Sequence, residues 1–576
     1  MSLSIENLSL SLGQDAGAIR LLSEITTKLT RGNLIALIGP SGCGKTTFIK
    51  MIAGIVNGHE EGNIVWNGKN LLEKNFSPGE IGYVSQFSVI QDELTVEESV
   101  QFTARLRVSE ISDRACLDLV DNILIEVALT ELRHHRVNTL SGGQKRRLAL
   151  AIELVSNPPI LLCDEVTSGL DPQAEEEIVQ LLSRLAHDRG QLVLLVTHSI
   201  NQLDIFDRIL VLYKGRLAFD AHPSYLNHYF KVDDPNLIFN QLVRLDVDEW
   251  HQCWRKSSSD YIGRGDWSGR EIDASNSSCS EFIDPLSFST PPSFYSQFVT
   301  LLKRRSKIFF RSHPQIMLQM GLILGFPAMV AIFGWNGIPA IQNMGMGSDM
   351  SFITHLIEAN KFVIQATKIG SLVSGIAMFQ VILLSLMGAN NSGREIAGER
   401  PLLEKEKIAG LNTSSYIASK VVFLGILCLV QSIWMGLFVH FTCIYPGNLG
   451  LQLIFLFLVN ASLTSVCLAI SSFMGSVEQA SLVSIYLVGF QLPLSGAVLS
   501  LPDWIGVTVR PFIAAYWSWS GVLQSLRETR YYDIVCMVAQ TGLNRSNLCI
   551  VILLIQIIAG LTIAFFGCRR LQLSAL

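Results

Sequence analysis

The sequence predicts an α/β domain with a parallel sheet, followed by an all-α domain of six transmembrane helices. Two observations predict this order of folds. Residues 1–230 alternate short apolar runs with helical patterns, which is typical of buried parallel strands connected by helices. From about Gln315 the chain consists of long apolar runs, and its charged residues lie between them.

The composition supports this division and excludes some classes of partner. Only 16% of the 576 residues are charged, against about 25% in a typical soluble domain. The formal net charge of -5 is small, so nucleic acid is not expected as a partner. The 11 cysteines form no CxxC pair and no Cys/His cluster at zinc spacing. The first residues, MSLSIENLSLSLG, do not resemble a secretory signal, so the first domain is expected to stay where it is made.

Three short apolar runs in the first domain predict its central strands. They are IALIG (35–39), ILLCD (160–164) and LVLLVT (192–197), and each is rich in branched residues. The carboxyl ends of parallel strands meet at one edge of a sheet, where ligands usually bind. Phosphate chemistry is therefore expected at the ends of these three runs.

Two segments connect the predicted domains. Residues 251–293 are polar and rich in serine and proline, as in SNSSCS and STPPS, which predicts a linker after a first domain of residues 1–250. Residues 294–314 mix aromatic side chains with five lysines and arginines, which predicts an amphipathic helix on a membrane surface. An ordinary solvated helix is the alternative. Residues 315–576 form the predicted transmembrane domain.

Six runs fit the roughly 20 residues that a bilayer requires. The fifth is interrupted by QLPLSG. The runs are approximately 315–335, 369–389, 418–440, 451–473, 480–501 and 547–567. The basic segment before the first run, the charged loop after the second, and Arg569 with Arg570 fall on one side if the runs alternate. This predicts a multi-pass protein of a plasma or bacterial inner membrane with both termini and the first domain cytoplasmic. The four arginines of 501–546 depart from the rule, and a disulfide at Cys536, in this outer segment, stays open.

The segment GPSGCGKT (39–46) fits the pattern G-x-x-x-x-G-K-[ST] between a strand and a helix. Its glycines allow backbone N–H groups to surround phosphate oxygens, and the helix dipole adds positive potential. Lys45 is expected to reach the β- and γ-phosphates, and the Thr46 hydroxyl to bind Mg²⁺. The predicted ATP contacts are Gly39, Pro40, Ser41, Gly42, Cys43, Gly44, Lys45, Thr46 and Thr47.

Two carboxylates follow the run ILLCD. Asp164 is expected to hold Mg²⁺ through water, and Glu165 to orient and deprotonate the attacking water. Gln86, in YVSQF, is a candidate contact of Mg²⁺ and water, and His198, in VTHS, of the γ-phosphate. A single glutamine or histidine is usually structural, so these two predictions depend on the other motifs.

The stretch LSGGQ begins another helical pattern at residue 140. A helix N-terminus with SGG is an anion site, so Ser141, Gly142, Gly143 and Gln144 are predicted to bind a γ-phosphate. Within one chain this second site would be redundant. It is useful if two copies face each other head to tail, each covering the ATP of the other.

These motifs, in this order and spacing, resemble the nucleotide-binding domain of ABC transporters over about residues 1–230. The resemblance implies a P-loop ATPase domain with a helical subdomain, which closes as a dimer on two nucleotides. Asp171, in SGLD, matches the loop that couples the two sites. An ATPase domain placed before the membrane domain resembles the G subfamily, the half-transporters of the white and breast cancer resistance type.

The charged loop after the second apolar run supports the subfamily. It is similar to that group's pattern E-R-x-x-x-x-[KR]-E followed by glycine and tyrosine, here Glu399, Arg400, Lys405, Glu406, Gly410 and Tyr416. The loop is expected to contact the ATPase domain. The family usually has a proline after the catalytic Asp-Glu pair, and this chain has Val166 there. Gln144 stands where the subfamily often has an acidic residue. In many ABC proteins an aromatic residue before the position of Phe48 stacks on the adenine ring. Here no Phe, Tyr or Trp precedes Phe48, so the choice between ATP and GTP stays open.

The function predicted from these features is an ATP-hydrolysing half-transporter that pairs with itself or a relative. Its membrane runs contain few charges, which suggests an apolar or amphipathic cargo such as a lipid, sterol or drug. Gln431, Asn460 and Gln491 are expected to line a cavity or, equally, to join helices. Export is implied by the resemblance only. The alternatives are an importer of the same build and a membrane-anchored ATPase that relays a signal without transport.

Overall fold

The computed structural model describes most of the chain, in ten stretches. They are residues 2–13, 19–56, 58–70, 78–86, 89–109, 111–199, 203–262, 291–341, 352–497 and 501–570. The described residues form two compact units. The first contains those of 1–300 together with 404–412, and the second those of 301–403 and 413–571.

The first unit contains two sheets. One has four strands in the order β2-β1-β4-β5, and the other has six in the order β10-β9-β3-β8-β7-β6. Strands β3, β6, β7, β8 and β9 are parallel, and β10 pairs antiparallel at the edge. The strands are β1 Ser2–Leu12, β2 Ile19–Thr30, β3 Leu34–Ile38, β4 His59–Trp66, β5 Lys69–Asn70, β6 Ile81–Val84, β7 Ile160–Asp164, β8 Leu192–Val196, β9 Arg208–Tyr213 and β10 Arg216–Ala221.

The predicted parallel core is confirmed. All five residues of β3, of β7 and of β8 are buried, because helices or the second sheet cover both faces of this sheet. The helices of the first unit are α1 Lys45–Ile52, α2 Val96–Arg107, α3 Asp113–Glu126, α4 Gly142–Leu154, α5 Pro172–Arg189, α6 Leu226–Phe230, α7 Ile238–Leu242 and α8 Val247–Ile262. Helices α2, α3 and α4 lie between β6 and β7 in sequence and form the expected helical subdomain.

The ends of these helices follow from local sequence. At the start of α2, Thr95 accepts a hydrogen bond from the Glu98 N–H, and the Glu98 carboxylate accepts one from the Thr95 N–H. This reciprocal cap satisfies two backbone donors that have no partner inside the helix. Helix α5 ends at Gly190, which has a left-handed φ of 63°.

The connecting segments differ in part from the prediction. Helix α8 continues to Ile262, so the predicted linker 251–293 begins inside a helix. Residues 263–290 lie outside the described residues. Helix α9 Phe294–Arg311 matches the predicted amphipathic segment 294–314 and ends three residues earlier. The described cysteines, Cys536 among them, are free thiols.

The second unit is helical. Its helices are α10 His313–Gly334, α11 Phe352–Ser392, α12 Arg400–Ile408, α13 Thr413–Cys443, α14 Leu449–Phe473, α15 Val477–Leu494, α16 Asp503–Val509, α17 Ala514–Gln524, α18 Arg530–Val538 and α19 Ser546–Arg570, of which α12 continues into the first unit. Close packing of α14 on α19 depends on small residues: a Cβ on Gly567 would lie 2.1 Å from Ser472 Oγ.

Among the described residues, five helices are long and apolar enough to cross a membrane: α10, α11, α13, α14 and α19. These helices coincide with five of the six predicted spans. The fifth, 480–501, falls on α15, which has 18 residues and carries Glu478 and Gln479 in its first turn. Residues 498–500 of this run lie outside the described residues, so the fifth span stays a prediction.

Candidate functional site

The loop between β3 and α1 is built from close backbone approaches. A Cβ on Gly39 would lie 2.2 Å from the carbonyl oxygen of Leu212 and 2.8 Å from Cys43 Sγ, so only glycine fits there. Gly44 precedes α1 with a left-handed φ of 103°. The predicted phosphate loop therefore has the tight curvature that its motif requires.

Lys45 lies inside this loop and is 4% exposed. Its Nζ donates to the carbonyl oxygens of Gly39, at 2.8 Å, and Pro40, at 3.0 Å. These bonds use two of the three ammonium protons and fix the charge at the centre of the loop. Of the other predicted contacts, Cys43 is buried, Ser41 and Gly42 are exposed, and Thr47 is half-buried.

Thr46 and Asp164 come together where α1 begins and β7 ends. The Thr46 hydroxyl donates to Asp164 Oδ1 at 3.0 Å. Burial raises the pKa of the Asp164 carboxyl above its ordinary value, although the hydrogen bond from Thr46 opposes the shift. Mg²⁺ in nucleotide sites prefers oxygen ligands from one or two side chains and the phosphates. The hydroxyl and the carboxylate fit this donor set.

The structure adds Tyr83, which the sequence analysis missed. Tyr83 is buried in β6, and its hydroxyl donates to Asp164 Oδ2 at 3.3 Å. Both oxygens of the carboxylate are thus held, one by Thr46 and one by Tyr83. This contact could be predicted only from the order of strands in the sheet, because β6 and β7 are neighbours there and distant in sequence.

The three predicted catalytic residues form one cluster. Gln86 Nε2 donates to Glu165 Oε2 at 2.7 Å, and His198 Nε2 lies 2.8 Å from Glu165 Oε1. Because a carboxylate only accepts, Nε2 of His198 carries the proton in this contact. Gln86, Glu165 and His198 follow β6, β7 and β8, so the carboxyl edge of the sheet assembles the cluster.

Glu165 has a disfavoured backbone conformation, and its side chain is less exposed than that of its partner His198. Its φ is 50°, a left-handed value that is disfavoured for residues other than glycine and that occurs preferentially at functional sites. Its side chain is 16% exposed, whereas that of His198 is 41% exposed. The carboxylate is therefore shielded from bulk water and reachable from the side of His198.

The LSGGQ stretch begins α4 and lies at the surface. Ser141 Oγ accepts from the Gln144 N–H at 3.3 Å, and Gln144 Oε1 accepts from the Ser141 N–H at 2.9 Å. Gln144, predicted as a phosphate contact, is thus engaged in a helix cap. Within the described residues, no hydrogen bond joins Ser141, Gly142, Gly143 or Gln144 to the phosphate loop. The structure therefore does not bring this motif to the nucleotide site of its own chain.

Two further contacts concern predicted residues. Arg146, on α4, donates to the carbonyl oxygen of Gln86, so α4 is linked to the cluster of Gln86, Glu165 and His198. Asp171 caps α5, and its Oδ1 accepts from the Ala174 N–H at 2.9 Å. Asp171 is exposed in this structure.

A second buried carboxylate, Glu153, lies near the C-terminal end of α4 and was not predicted. Its oxygens contact Arg107 Nη1 at 3.0 Å and Lys405 Nζ at 2.6 Å. Burial alone would raise the pKa of the Glu153 carboxyl, but the two cations outweigh it and lower this pKa to about 2. Glu153 is 3% exposed and remains ionised at neutral pH.

Lys405 belongs to residues 404–412, the part of the charged loop that lies in the first unit. Fully buried Gln297 also holds this part: its Nε2 donates to the Gly410 carbonyl at 3.1 Å, and its Oε1 accepts from the Asn412 N–H at 2.9 Å. The expected contact of the charged loop is therefore made by Lys405 with Glu153.

The predicted polar residues of the membrane helices are buried and bonded to protein. Gln431 and Asn460 join Gln319 and Asn391 in a network of side-chain amides at 2.9 to 3.4 Å. Gln491 Oε1 accepts from the Ala515 N–H at 3.1 Å. Of the two interpretations, joining helices is the one that these bonds favour.

Two family models match the chain. Residues 22–168 match the ABC transporter model, and residues 296–525 match the ABC-2 type transporter model. The chain therefore carries an ABC transporter domain followed by an ABC-2 type membrane domain. Among curated relatives, it is 28% identical over 419 residues to the ABC transporter ATP-binding/permease protein Rv1747 of Mycobacterium tuberculosis, covering 72% of this chain and 44% of that protein.

Two eukaryotic relatives are also named as ABC transporters. The chain is 27% identical over 541 residues to ABC transporter G family member 31 of Arabidopsis thaliana, covering 88% of this chain and 35% of that protein. It is 31% identical over 356 residues to the ABC multidrug transporter SNQ2 of Candida glabrata, covering 56% and 23%. The chain thus spans less than half the length of each of these three relatives.

Proposed function

We propose that this chain, which belongs to the ABC transporter family, is an ATP-hydrolysing half-transporter that works as a pair with a second copy or a related chain. The observation that carries this proposal is the cluster of Gln86, Glu165 and His198 at the sheet edge. It follows the same strands as Asp164, whose carboxylate bonds to Thr46 next to Lys45.

The chemistry assigned to these residues is attack of water on the γ-phosphorus of ATP, which breaks the bond to the oxygen shared with the β-phosphate and releases ADP and phosphate. Lys45 and the backbone N–H groups of residues 39–47 would bind the phosphates of ATP. Thr46 and, through water, Asp164 would hold Mg²⁺, which neutralises charge on the phosphates. Glu165 accepts the proton of the attacking water, and His198 donates its Nε2–H to the γ-phosphate. In this structure the Nε2–H of His198 is bonded to Glu165 Oε1, so it must leave Glu165 to reach the γ-phosphate, and this frees an acceptor site for the water.

The exposed N-terminus of α4 supports a shared site. With Gln144 engaged in the cap, the Gly142 and Gly143 N–H groups and the Ser141 hydroxyl are the groups proposed to bind the partner's γ-phosphate. This proposal moves the expected role of Gln144 from phosphate contact to positioning of Ser141.

The cargo proposed is an apolar or amphipathic molecule, such as a lipid, sterol or drug, and the direction proposed is export. The apolar helices and the similarity to the ABC multidrug transporter SNQ2 of Candida glabrata support this class. The ATPase domain and both termini are proposed to be cytoplasmic. A relay without transport, or import by the same build, would use the same site, so flux separates these cases from export.

The shared site is tested by mixing two inactive variants, Lys45→Ala and Ser141→Arg, with different purification tags. A mixed pair holds one site with both lesions and one intact site, so ATPase activity should return in part. The control is Ser112→Arg, at the exposed N-cap of α3, which should stay active. Mixed pairs with no recovery, or full activity of Ser141→Arg alone, would contradict sharing. In proteoliposomes, ATPase activity without ATP-dependent movement of any apolar probe would favour the relay.

A further inference from the structure

A cavity of about 830 Å³ lies in the first unit, away from the phosphate loop. It is bordered by β1, β2, the β9–β10 edge and α8 and is partly open to solvent, and its polar lining includes Glu6, Asn7, Glu24, Lys28, His251 and Arg255. A Cβ on Gly44 of the phosphate loop would lie 2.9 Å from Leu22. The cavity extends along β2 from Glu24 to Thr30, in the direction away from that contact.

Two lining residues have disfavoured backbone conformations. Asn7 has a φ of 49° and Glu24 a φ of 51°, both left-handed. They lie where the pairing of β1 with β2 is irregular, and hydrogen bonds hold them there: the Asn7 N–H donates to Thr26 Oγ1, and the Glu24 N–H donates to Ser9 Oγ, both at 3.0 Å. Such bulges re-aim side chains and occur preferentially next to binding sites.

His251 is a buried polar group of the wall, and its ring nitrogens have no partner at hydrogen-bond geometry within the described residues. It is 7% exposed. The nearest carboxylate oxygen, Glu24 Oε2, lies 3.8 Å from Nε2, which is too long for a hydrogen bond. Burial lowers the pKa of the imidazole, although the Leu217 backbone and Glu24 oppose the shift. A neutral imidazole offers one donor and one acceptor.

The floor of the cavity is already complete. Arg208 bonds to Asp220, and the Thr27 hydroxyl donates to Asp220 Oδ2 at 2.6 Å. This buried pair is electrically neutral and needs no ligand. The charges left to a ligand lie at the rim, where Glu6 and Glu24 contribute two negative charges and Lys28 and Arg255 two positive ones.

We propose that this cavity is a binding site for a short zwitterionic peptide of two to four residues. Its free ammonium would pair with Glu6 and Glu24, and its free carboxylate with Lys28 and Arg255. A peptide group, which also has one donor and one acceptor, would satisfy His251. The volume lies within the roughly 300–1,000 Å³ of small-molecule sites.

The test uses the full-length, lipid-embedded protein and isothermal titration calorimetry with two probes, trialanine and Ala-Phe-Ala. At least one should bind saturably, also with a non-hydrolysable ATP analogue present, since the site is separate from the nucleotide. The N-acetylated, C-amidated forms of the same peptides should bind at least about tenfold more weakly, because they lack both charges.

Variants at the rim keep the test independent of folding. Glu6→Gln and Arg255→Gln change exposed side chains and should each weaken binding by about tenfold. Lys69→Gln, an exposed residue of β5 outside the cavity, is the matched control and should leave binding unchanged. Absence of saturable binding up to about 10 mM, equal binding of the blocked peptides, or competition with the nucleotide would overturn the proposal.

Discussion

Two carboxylates of the first unit, Glu153 and Glu165, are held in opposite ways. Glu153 is 3% exposed and lies between two permanent cations, Arg107 and Lys405. Glu165 has a side chain that is 16% exposed, and its partners are the amide of Gln86 and the imidazole of His198. The first carboxylate is fixed by charge, whereas the second is held by hydrogen bonds to groups that can be exchanged.

The difference suggests separate tasks for the two groups. A buried carboxylate that loses its cations leaves an unpaired buried charge, which is costly. Glu153 therefore suits a permanent structural contact between α4, Arg107 and Lys405. A carboxylate held by hydrogen bonds from Gln86 and His198 can exchange one of them for a water molecule, so Glu165 suits a general base. Helix α4 connects the two, because its Arg146 contacts Gln86 and its Glu153 contacts Lys405.

The largest expected effect is that of Glu165→Gln. The amide keeps the shape of the side chain and removes the base, so ATPase turnover should fall by about 10²–10⁴-fold while ATP binding persists. Turnover by the purified protein and binding of a fluorescent ATP analogue are the two measurements. Glu177→Gln is the control, since Glu177 pairs with Arg147 at the surface. A Glu165→Gln rate close to wild type would remove the assignment of the base.

Glu153→Gln should instead damage the fold. It leaves Arg107 and Lys405 without their buried countercharge, which should cost about 3–5 kcal/mol of stability, measured by denaturant unfolding of the detergent-solubilised protein. Glu61→Gln is the control, because its ion pair with Arg20 is about half exposed and should contribute no more than about 1 kcal/mol. Equal stabilities of the two variants would mean that the ion pairs of Glu153 do not stabilise the fold.

The same pair predicts a pH dependence of stability. The pKa of Glu153 is lowered from 4.5 to about 2 in the folded protein, so its stabilising contribution is fully present above about pH 4.5. That contribution should be lost as the pH falls from 4.5 toward 2. The difference in stability between wild type and Glu153→Gln should therefore shrink over this range, and a constant difference would contradict the ionised pair.

Tyr83→Phe should have the smallest effect. It removes the hydroxyl that holds one oxygen of Asp164 and leaves the ring in place. The Mg²⁺ concentration needed for half-maximal ATP binding should rise about tenfold, as for other residues that orient metal ligands. Binding of the ATP analogue in EDTA should not change. An unchanged Mg²⁺ requirement would show that Thr46 alone positions Asp164.

Sequence patterns predicted local features well and long-range pairings poorly. Each motif follows an apolar run in the sequence. The phosphate loop and the residues at the carboxyl ends of β6, β7 and β8 could therefore be located. Tyr83 could not, because its contact depends on the order of strands in the sheet. Glu153 and Lys405 are an ordinary glutamate and lysine in sequence, and only the fold brings them to 2.6 Å.

The fifth membrane span and Gln144 show another limit. The apolar run 480–501 exceeds the helix that forms, because hydropathy does not report where a helix ends. Gln144 was expected to contact phosphate, but its position three residues after Ser141 also fits a capping box. Two local interpretations competed there, and the backbone geometry favours the cap.

The most direct test of the separate tasks of Glu165 in hydrolysis and of Glu153 in holding residues 404–412, which precede α13, is Lys405→Met. Glu153 keeps Arg107 as a partner, so the fold should survive while the ion pair between α4 and residues 404–412 is lost. ATPase activity and ATP-dependent hydrogen–deuterium exchange of α13 are measured on the same lipid-embedded sample. The account predicts hydrolysis close to the wild-type rate with no ATP-dependent change in α13. A change in α13 like that of wild type, or loss of hydrolysis as in Glu165→Gln, would contradict it.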